Sequence, residues 1–178
     1  MATLEAISEQ NVSAFRAVRL RALLDSPSAF GSTYAREAEF DDAKWLERAA
    51  NMSGQRGAGF LALDGNEPCG IIGALLNGDE PHIAQVVSMW VAPTYRRGGI
   101  ASALIGAIGS WSQAHGVHTL RLMVTSCNQG AIEFYKRCGF AMTGNTEPYP
   151  HDPALIEYEM ARSVQIAELQ PNTSPPGD

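Results

Sequence analysis

After one short strand, Thr3 to Ile7, the first 52 residues carry apolar positions at helical spacing. Ser8 is placed to cap a helix in which Val12, Phe15, Val18, Ala22 and Leu23 recur, while Arg16, Arg19 and Arg21 are directed elsewhere. That helix is expected to end near Asp25, ahead of Pro27 and the small-residue stretch Ser28 to Thr33. Asp41 then caps a second helical region that contains Trp45, Leu46 and Ala49. From Ala58 the period changes. Gly59 to Leu63 and Cys69 to Leu76 are short apolar runs on either side of Asp64-Gly65-Asn66, which is hairpin chemistry. His82 to Val91 is largely apolar on both faces and reads as a central strand of a covered sheet. Ile100 to His115 reads as a helix stopped at Gly116, Leu120 to Thr125 as a strand, Gln129 to Arg137 as a short helix and Phe140 to Thr143 as a strand. Ile156 to Met160 alternates as a strand with one solvated face does.

Composition narrows the class. The chain has 178 residues, 45% of them hydrophobic and 18% charged, which is the make-up of one ordinary soluble domain. We expect that domain over residues 1–162, with no internal repeat and no second domain. Residues 163–178 turn polar and proline-rich (Gln170-Pro171-Asn172-Thr173-Ser174-Pro175-Pro176) and are expected to be a disordered tail. No window approaches the roughly 18 apolar residues of a membrane span, and Met1 to Glu5 lacks the pattern of a signal peptide. A cytoplasmic protein with no membrane partner is the expectation. Cys69, Cys127 and Cys138 form no C-x-x-C, are odd in number and fit reduced thiols. The formal net charge is −6. Uniform acidity argues against nucleic acid and polyphosphate ligands, so its distribution matters.

The segment richest in chemistry is Val91-Ala92-Pro93-Thr94-Tyr95-Arg96-Arg97-Gly98-Gly99-Ile100-Ala101-Ser102. A buried strand ends, two arginines follow, and two glycines open a helix. A helix start leaves backbone N–H groups without partners and carries the positive end of the dipole, so it attracts anions. Small residues let a pyrophosphate approach, and Arg96 and Arg97 add charge. Without a ligand, the same residues make an ordinary glycine-rich strand-to-helix turn. It is neither a Walker A loop nor a G-x-G-x-x-G fingerprint.

Arg96-Arg97-Gly98-Gly99-Ile100-Ala101 resembles the R/Q-x-x-G-x-G/A signature of the GCN5-related N-acetyltransferase superfamily. A second segment, Asn128-Gln129-Gly130-Ala131-Ile132-Glu133-Phe134-Tyr135-Lys136-Arg137-Cys138-Gly139-Phe140, is similar to that family's N-x-x-A-x-x-F/L-Y-x-x-x-G-F. The resemblance covers roughly Leu4 to Arg162, and Leu20 to Thr33 looks like the start of many bacterial members. It implies an α/β (α+β) fold: a mixed, mostly antiparallel sheet of six or seven strands with helices on both faces.

The resemblance also implies roles. Acetyl-CoA, the acetyl donor, lies between two separating parallel strands, here the one ending at Val91 and Leu120 to Thr125. Backbone groups at Met89, Trp90 and Val91 then pair with the pantetheine arm, and one N–H polarises the thioester carbonyl. The amides of Arg97, Gly98, Gly99, Ile100, Ala101 and Ser102 hold the pyrophosphate. Asn128 and Ala131 border the pantetheine arm, and Lys136 or Arg137 reaches the adenosine phosphates. Tyr135 is the expected general acid toward the departing thiolate, with a core aromatic as its plainer alternative. The base stays open among Glu37, Glu39, Asp79, Glu80, His82 and His151, each of which also reads as a solvated charge or a cap; Ser88 is placed to position a water. The glutamate frequent in the family's strand before the turn is absent here, where Gln85, Ser88 and Trp90 are the non-aliphatic residues.

Trp90, Glu37, Glu147 and Tyr149 are candidate substrate contacts, the last two in a proline-fixed loop over residues 146–153. No metal is expected, since His115-x-x-His118 lacks a third ligand. Cys127 lacks a paired base for covalent chemistry. The expected function is acetyl transfer to a primary amine, first a small molecule and second a protein N-terminus or lysine. A non-catalytic acyl-CoA-binding module is the rival, and a nucleic-acid role lacks a continuous basic, aromatic surface. A monomer or homodimer is expected. The charge is not uniform: residues 81–146 hold Arg96, Arg97, Arg121, Lys136 and Arg137 against Glu133 alone, leaving the rest acidic. That split points to a polyanionic donor and a cationic acceptor.

Overall fold

A computed structural model describes residues 1–165 of the chain. Ser8 accepts from the Gln10 N–H and completes a capping box with Asn11, so strand β1 (Thr3–Ala6) passes through a single 3-10 turn into helix α1 (Val12–Asp25). The buried face of α1 is Phe15, Val18, Arg19, Ala22 and Leu23. Arg19 therefore faces inward, contrary to the expectation. Its position is part of the 15-18-19-22 stripe, and helical geometry places it there whatever its polarity. Two short helices follow, α2 (Tyr34–Ala38), capped by the Thr33 side chain, and α3 (Asp42–Asn51), capped by Asp41 through the Lys44 N–H.

The strands β2 (Ser53–Gly54), β3 (Gly57–Asp64), β4 (Glu67–Asn77), β5 (Glu80–Val91), β6 (Thr119–Thr125), β7 (Ala141–Pro148) and β8 (Ile156–Ser163) join β1 in one open sheet. Its order is β1-β3-β4-β5-β6-β8-β7, with the two-residue β2 added on β3. Every pairing is antiparallel except β5 with β6. Helix α4 (Ile100–Ala114) covers one face: a side chain in place of Gly70 would meet Leu104 and Ile100 about 3.2–3.3 Å away. Helix α5 (Gln129–Arg137) follows β6 and ends at Cys138, which lies near Ser102 in the first turn of α4. The opposite face carries α1 and α3, where Met52 fills the space over Gly73.

Two irregularities shape the sheet. Ile71 opposes Trp90 but Gly73 opposes Val87, so Ser88 and Met89 together face Ile72 in a β-bulge, with Ser88 at φ 60°. The parallel ladder between β5 and β6 runs only from Ile83↔Thr119 to Gln85↔Arg121 and then stops. Arg121 clamps the closed end by pairing with Glu80 (3.0 and 3.1 Å) and Glu159 (3.5 Å). Past it the two strands splay.

Strand β7 is longer than its expected end at Thr143, because a second bulge around Gly144 (φ 93°) restores pairing at Thr146↔Tyr158. The proline loop thus begins only after Pro148. At the chain's end, β8 extends to Ser163 and Val164 is buried, donating its N–H to the His118 carbonyl. Most of the expected tail, residues 166–178, lies outside the described residues.

Candidate active site

The splay between β5 and β6 opens a cavity of about 610 Å³ that runs between the two helical layers. From the α5 side Asn128, Ala131 and Tyr135 line it; from the α1–α3 side, Arg19, Glu37 and Arg48; from β5, Ser88 and Met89; and from β8, Glu157. Beyond Gln85 the edge of β5 that faces β6 has no strand partner, so its backbone donors and acceptors are available to a bound chain. Trp90, Val91, the 96–102 turn, Arg137 and Tyr149 lie outside this lining.

The turn forms an anion cradle. Gly99 sits at the N-cap of α4 with φ 84°, a backbone that side chains rarely adopt, and an added Cβ would meet nothing within 4 Å. No side chain caps the helix, and the first helical bond there is Ala103 N–H to Gly99 carbonyl, leaving the preceding amides free. Arg97 and Arg137 are exposed and form no ion pair among the described residues, and the Ser102–Cys138 contact brings the end of α5 to this same first turn. Arg96 differs. Its Nε donates to the Val91 carbonyl (2.9 Å) and its Nη2 to Asp25 Oδ2 (2.6 Å), so it braces the turn from behind.

Asp25 also accepts from Trp90 Nε1 (2.9 Å). Although burial opposes it, the bonds from Trp90, Ser26 and Arg96 hold the Asp25 carboxyl below its ordinary range. The Trp90 ring, 5% exposed and overlain by Arg21, is packing against α1 and does not line the cavity.

Tyr135 is buried, with its ring edge-on to Phe140, and its hydroxyl makes no hydrogen bond among the described residues. Burial, with a smaller contribution from Cys138, pushes its pKa far above the ordinary tyrosine value. The hydroxyl thus stays protonated and points its unused donor capacity at the cavity. Asn128 caps α5 with its Oδ1 accepting from the Ala131 N–H (3.2 Å), which leaves the amide N–H groups free.

On the α1–α3 side of the cavity Glu37 is 2% exposed and pairs bidentately with Arg19 (2.7 and 2.9 Å) and with Arg48 (2.7 Å). Burial raises its pKa but the two guanidinium groups prevail, bringing it down to about 2. Glu37 is neither a proton acceptor near neutral pH nor free to bind substrate. Arg19 reaches on to Ser88 Oγ (3.2 Å), so the bulge serine is already held. Tyr149 is corrected likewise: it is 4% exposed and its hydroxyl donates to the Phe30 carbonyl (2.9 Å), with the Pro27 carbonyl at 3.1 Å. It anchors the loop before β8 to the segment after α1, as do His151 Nε2 to Gly31 O (3.0 Å) and Thr125 Oγ1 to Ser28 O (2.7 Å). Of the other base candidates, Glu80 is taken by Arg121, His82 Nδ1 donates to Gly116 O, and Glu39 and Asp79 lie outside the cavity lining.

The cavity wall carries Arg19, Arg36, Lys44 and Arg48 against Glu37, Glu47 and Glu157. Among the described residues no three His, Cys, Asp or Glu side chains gather as a metal-ligand set, and no helix is long and apolar enough to cross a membrane. Arg19, Arg48 and Glu157 escaped the sequence reading. Helical spacing alone signalled Arg19; Glu157 reads in sequence as part of a solvated face.

The family described as the Acetyltransferase (GNAT) family matches residues 20–140. An uncharacterized N-acetyltransferase of Methanocaldococcus jannaschii is 35% identical over 82 residues, which is 46% of this chain but only 33% of that protein. The fold is similar to that of a GNAT-family acetyltransferase from Streptococcus pneumoniae, at a TM-score of 0.79 and 19% identity, covering 93% of this chain and 100% of that one. It is also similar to the PaiA N-acetyltransferase of Thermoplasma acidophilum in complex with coenzyme A, at a TM-score of 0.69 and 13% identity, covering 92% and 99%.

Proposed function

The chain belongs to the GNAT acetyltransferase family, and on that premise we propose that it moves the acetyl group of acetyl-CoA to the primary amine of a small molecule by direct attack within a ternary complex. One observation carries the reading: a single cavity joins the unpaired edge of β5 and the free Tyr135 hydroxyl on one side to a polar, half-enclosed chamber on the other. Donor and acceptor can then meet without a covalent protein intermediate. The chamber is of the size that holds small ligands, and a fold neighbour in complex with coenzyme A supports an acyl-CoA donor.

In this reading the free amides from Gly99 to Ser102 take the pyrophosphate, with Arg97 and Arg137 as mobile charges beside them. Asn128 donates its unused amide N–H to the pantetheine arm, and the unpaired N–H groups of β5 near Met89 to Val91 hold the thioester carbonyl as charge develops on it. A free thiol has a pKa near 8.5, well below that of buried Tyr135. Full proton transfer from Tyr135 to the thiolate is therefore uphill, and the tyrosine acts as a fixed hydrogen-bond donor to the leaving sulfur. Arg19, Glu37 and Ser88 set the shape of β5 beside the reacting carbonyl and take no proton.

Thiol release measured with acetyl-CoA and a panel of small amines, amino acids and lysine peptides tests the reading. It predicts amine-dependent thiol release with at least one small amine; acetyl-CoA binding without thiol release for any acceptor would make the protein a binding module.

A further inference from the structure

Resting on the acetyl-transfer reading, we propose that Glu157 is the general base that takes a proton from the acceptor ammonium. Three carboxylates line the cavity. Glu37 has both oxygens committed to buried guanidinium groups, and Glu47 has both at 3.0 Å from Lys44 near the exposed rim. Glu157 is the one among the described residues with no ion pair and no hydrogen bond to its side chain, and it is half-buried at the start of β8. Thr125 opposes it across the β6–β8 ladder, at the open end of the splay, and Glu147 opposes it from β7. A base needs free lone pairs, access to the substrate and an affinity for protons closer to the working pH than a solvated carboxylate has. The first two follow from its place in the wall. For the third, burial and then the like charge of Glu147 both raise its pKa. Tyr149 in the preceding loop feels Glu157 together with Cys127 and Asp152, Glu159 two residues on is paired with Arg121, and the same cavity wall carries Arg19, Arg36, Lys44 and Arg48. Of those cations Arg19 and Arg48 are paired with Glu37 and Lys44 with Glu47, Arg36 is exposed, and none forms an ion pair with Glu157 among the described residues.

The step balances with no further reactant. Glu157 accepts one proton from R–NH3⁺, and the freed nitrogen lone pair forms a C–N bond to the thioester carbonyl. The C–S bond breaks with its electron pair on sulfur, where Tyr135 donates a hydrogen bond. The second proton shed by nitrogen ends on that sulfur as CoA thiol, and Glu157 returns its own proton to water.

The test is the pH profile of kcat/KM for Glu157→Gln, Glu157→Asp and Glu147→Gln, with acetyl-CoA affinity and circular dichroism measured on each. Glu157→Gln should lower kcat at pH 7 by about 10²-fold or more. It should keep acetyl-CoA affinity, and its acidic limb should be replaced by a rise that continues to the pKa of the amine. Glu157→Asp should recover part of the rate. Glu147→Gln, which removes a like charge without touching the base, should move the acidic limb to lower pH. A Glu157→Gln protein that keeps kcat within about threefold and the wild-type limb, or a Glu147→Gln profile that does not move, overturns the assignment. If the wild type itself releases no thiol with any amine, the transfer reading falls and the base with it; if the wild type turns over and Glu157→Gln matches it, the base alone falls.

Discussion

Arg19 and Glu37, 18 residues apart in the chain, meet in a buried two-point pair, and the third nitrogen of the same guanidinium holds Ser88 at the bulge of β5. Helix α1, helix α2 and the central strand are thereby fixed at the site where β5 leaves β6. Removing one member of a buried pair strands the other charge, so Glu37→Ala should lose about 3–5 kcal/mol in urea unfolding. The pair also sets acid stability. The Glu37 pKa is depressed to about 2 in the folded chain, so its contribution is full above the ordinary carboxylate pKa and is lost as pH falls toward 2. Wild type should lose stability steeply across that window, and Glu37→Gln, compared by the same unfolding curves, should show a flatter dependence.

Gly99 combines a left-handed backbone with open space above it. The Cβ of a valine there meets no protein atom within 4 Å, but the residue costs about 1–2 kcal/mol in backbone strain and adds bulk at the start of α4. Gly99→Val should lose at least about tenfold in acetyl-CoA affinity by calorimetry. Gly65, also left-handed and open in the β3–β4 turn, is the control: Gly65→Val carries similar strain and should leave the affinity unchanged.

The two arginines of the turn should separate. Arg97→Ala removes a free charge and should weaken acetyl-CoA binding in a salt-dependent way, with little change in melting temperature. Arg96→Ala removes the brace to Asp25 and the Val91 carbonyl, and should lower the melting temperature first. Thermal melts and binding on the same two proteins decide it.

Tyr135→Phe deletes a hydroxyl that bonds nothing among the described residues, so the fold should be as stable as wild type and acetyl-CoA affinity kept. Loss of the donor to the leaving thiolate should lower kcat by about 10²-fold. Because burial keeps the hydroxyl protonated, Tyr135 should contribute no limb to the rate profile below about pH 10.

Much of this frame is legible in the sequence because it rests on local chemistry. Helix caps at Ser8 and Asp41, the hairpin at Gly65 and the glycines that open α4 are dictated by residues within a few positions of one another. Pairings across the chain are not. Nothing near Glu37 announces that Arg19 and Arg48 will consume it, and nothing near Trp90 or Arg96 announces Asp25. For the same reason the acidic character of the flanking segments does not become an acidic chamber: the wall sets Arg19, Arg36, Lys44 and Arg48 against three carboxylates, of which Glu157 alone is unpaired among the described residues. Glu157 itself lies in a strand whose alternation reads as solvated, and only the splay of β6 from β5 turns that face into a cavity wall.

Direct transfer across the β5–β6 gap is tested most directly by mixing the protein with acetyl-CoA alone and adding the amine afterwards, following thiol and acetylated amine together. No thiol should appear before the amine arrives, and one acetylated amine should form for each thiol thereafter. A burst of thiol before the amine is present, as an acyl-enzyme on Cys127 or any other nucleophile would give, or thiol release without acetylated amine, would contradict it.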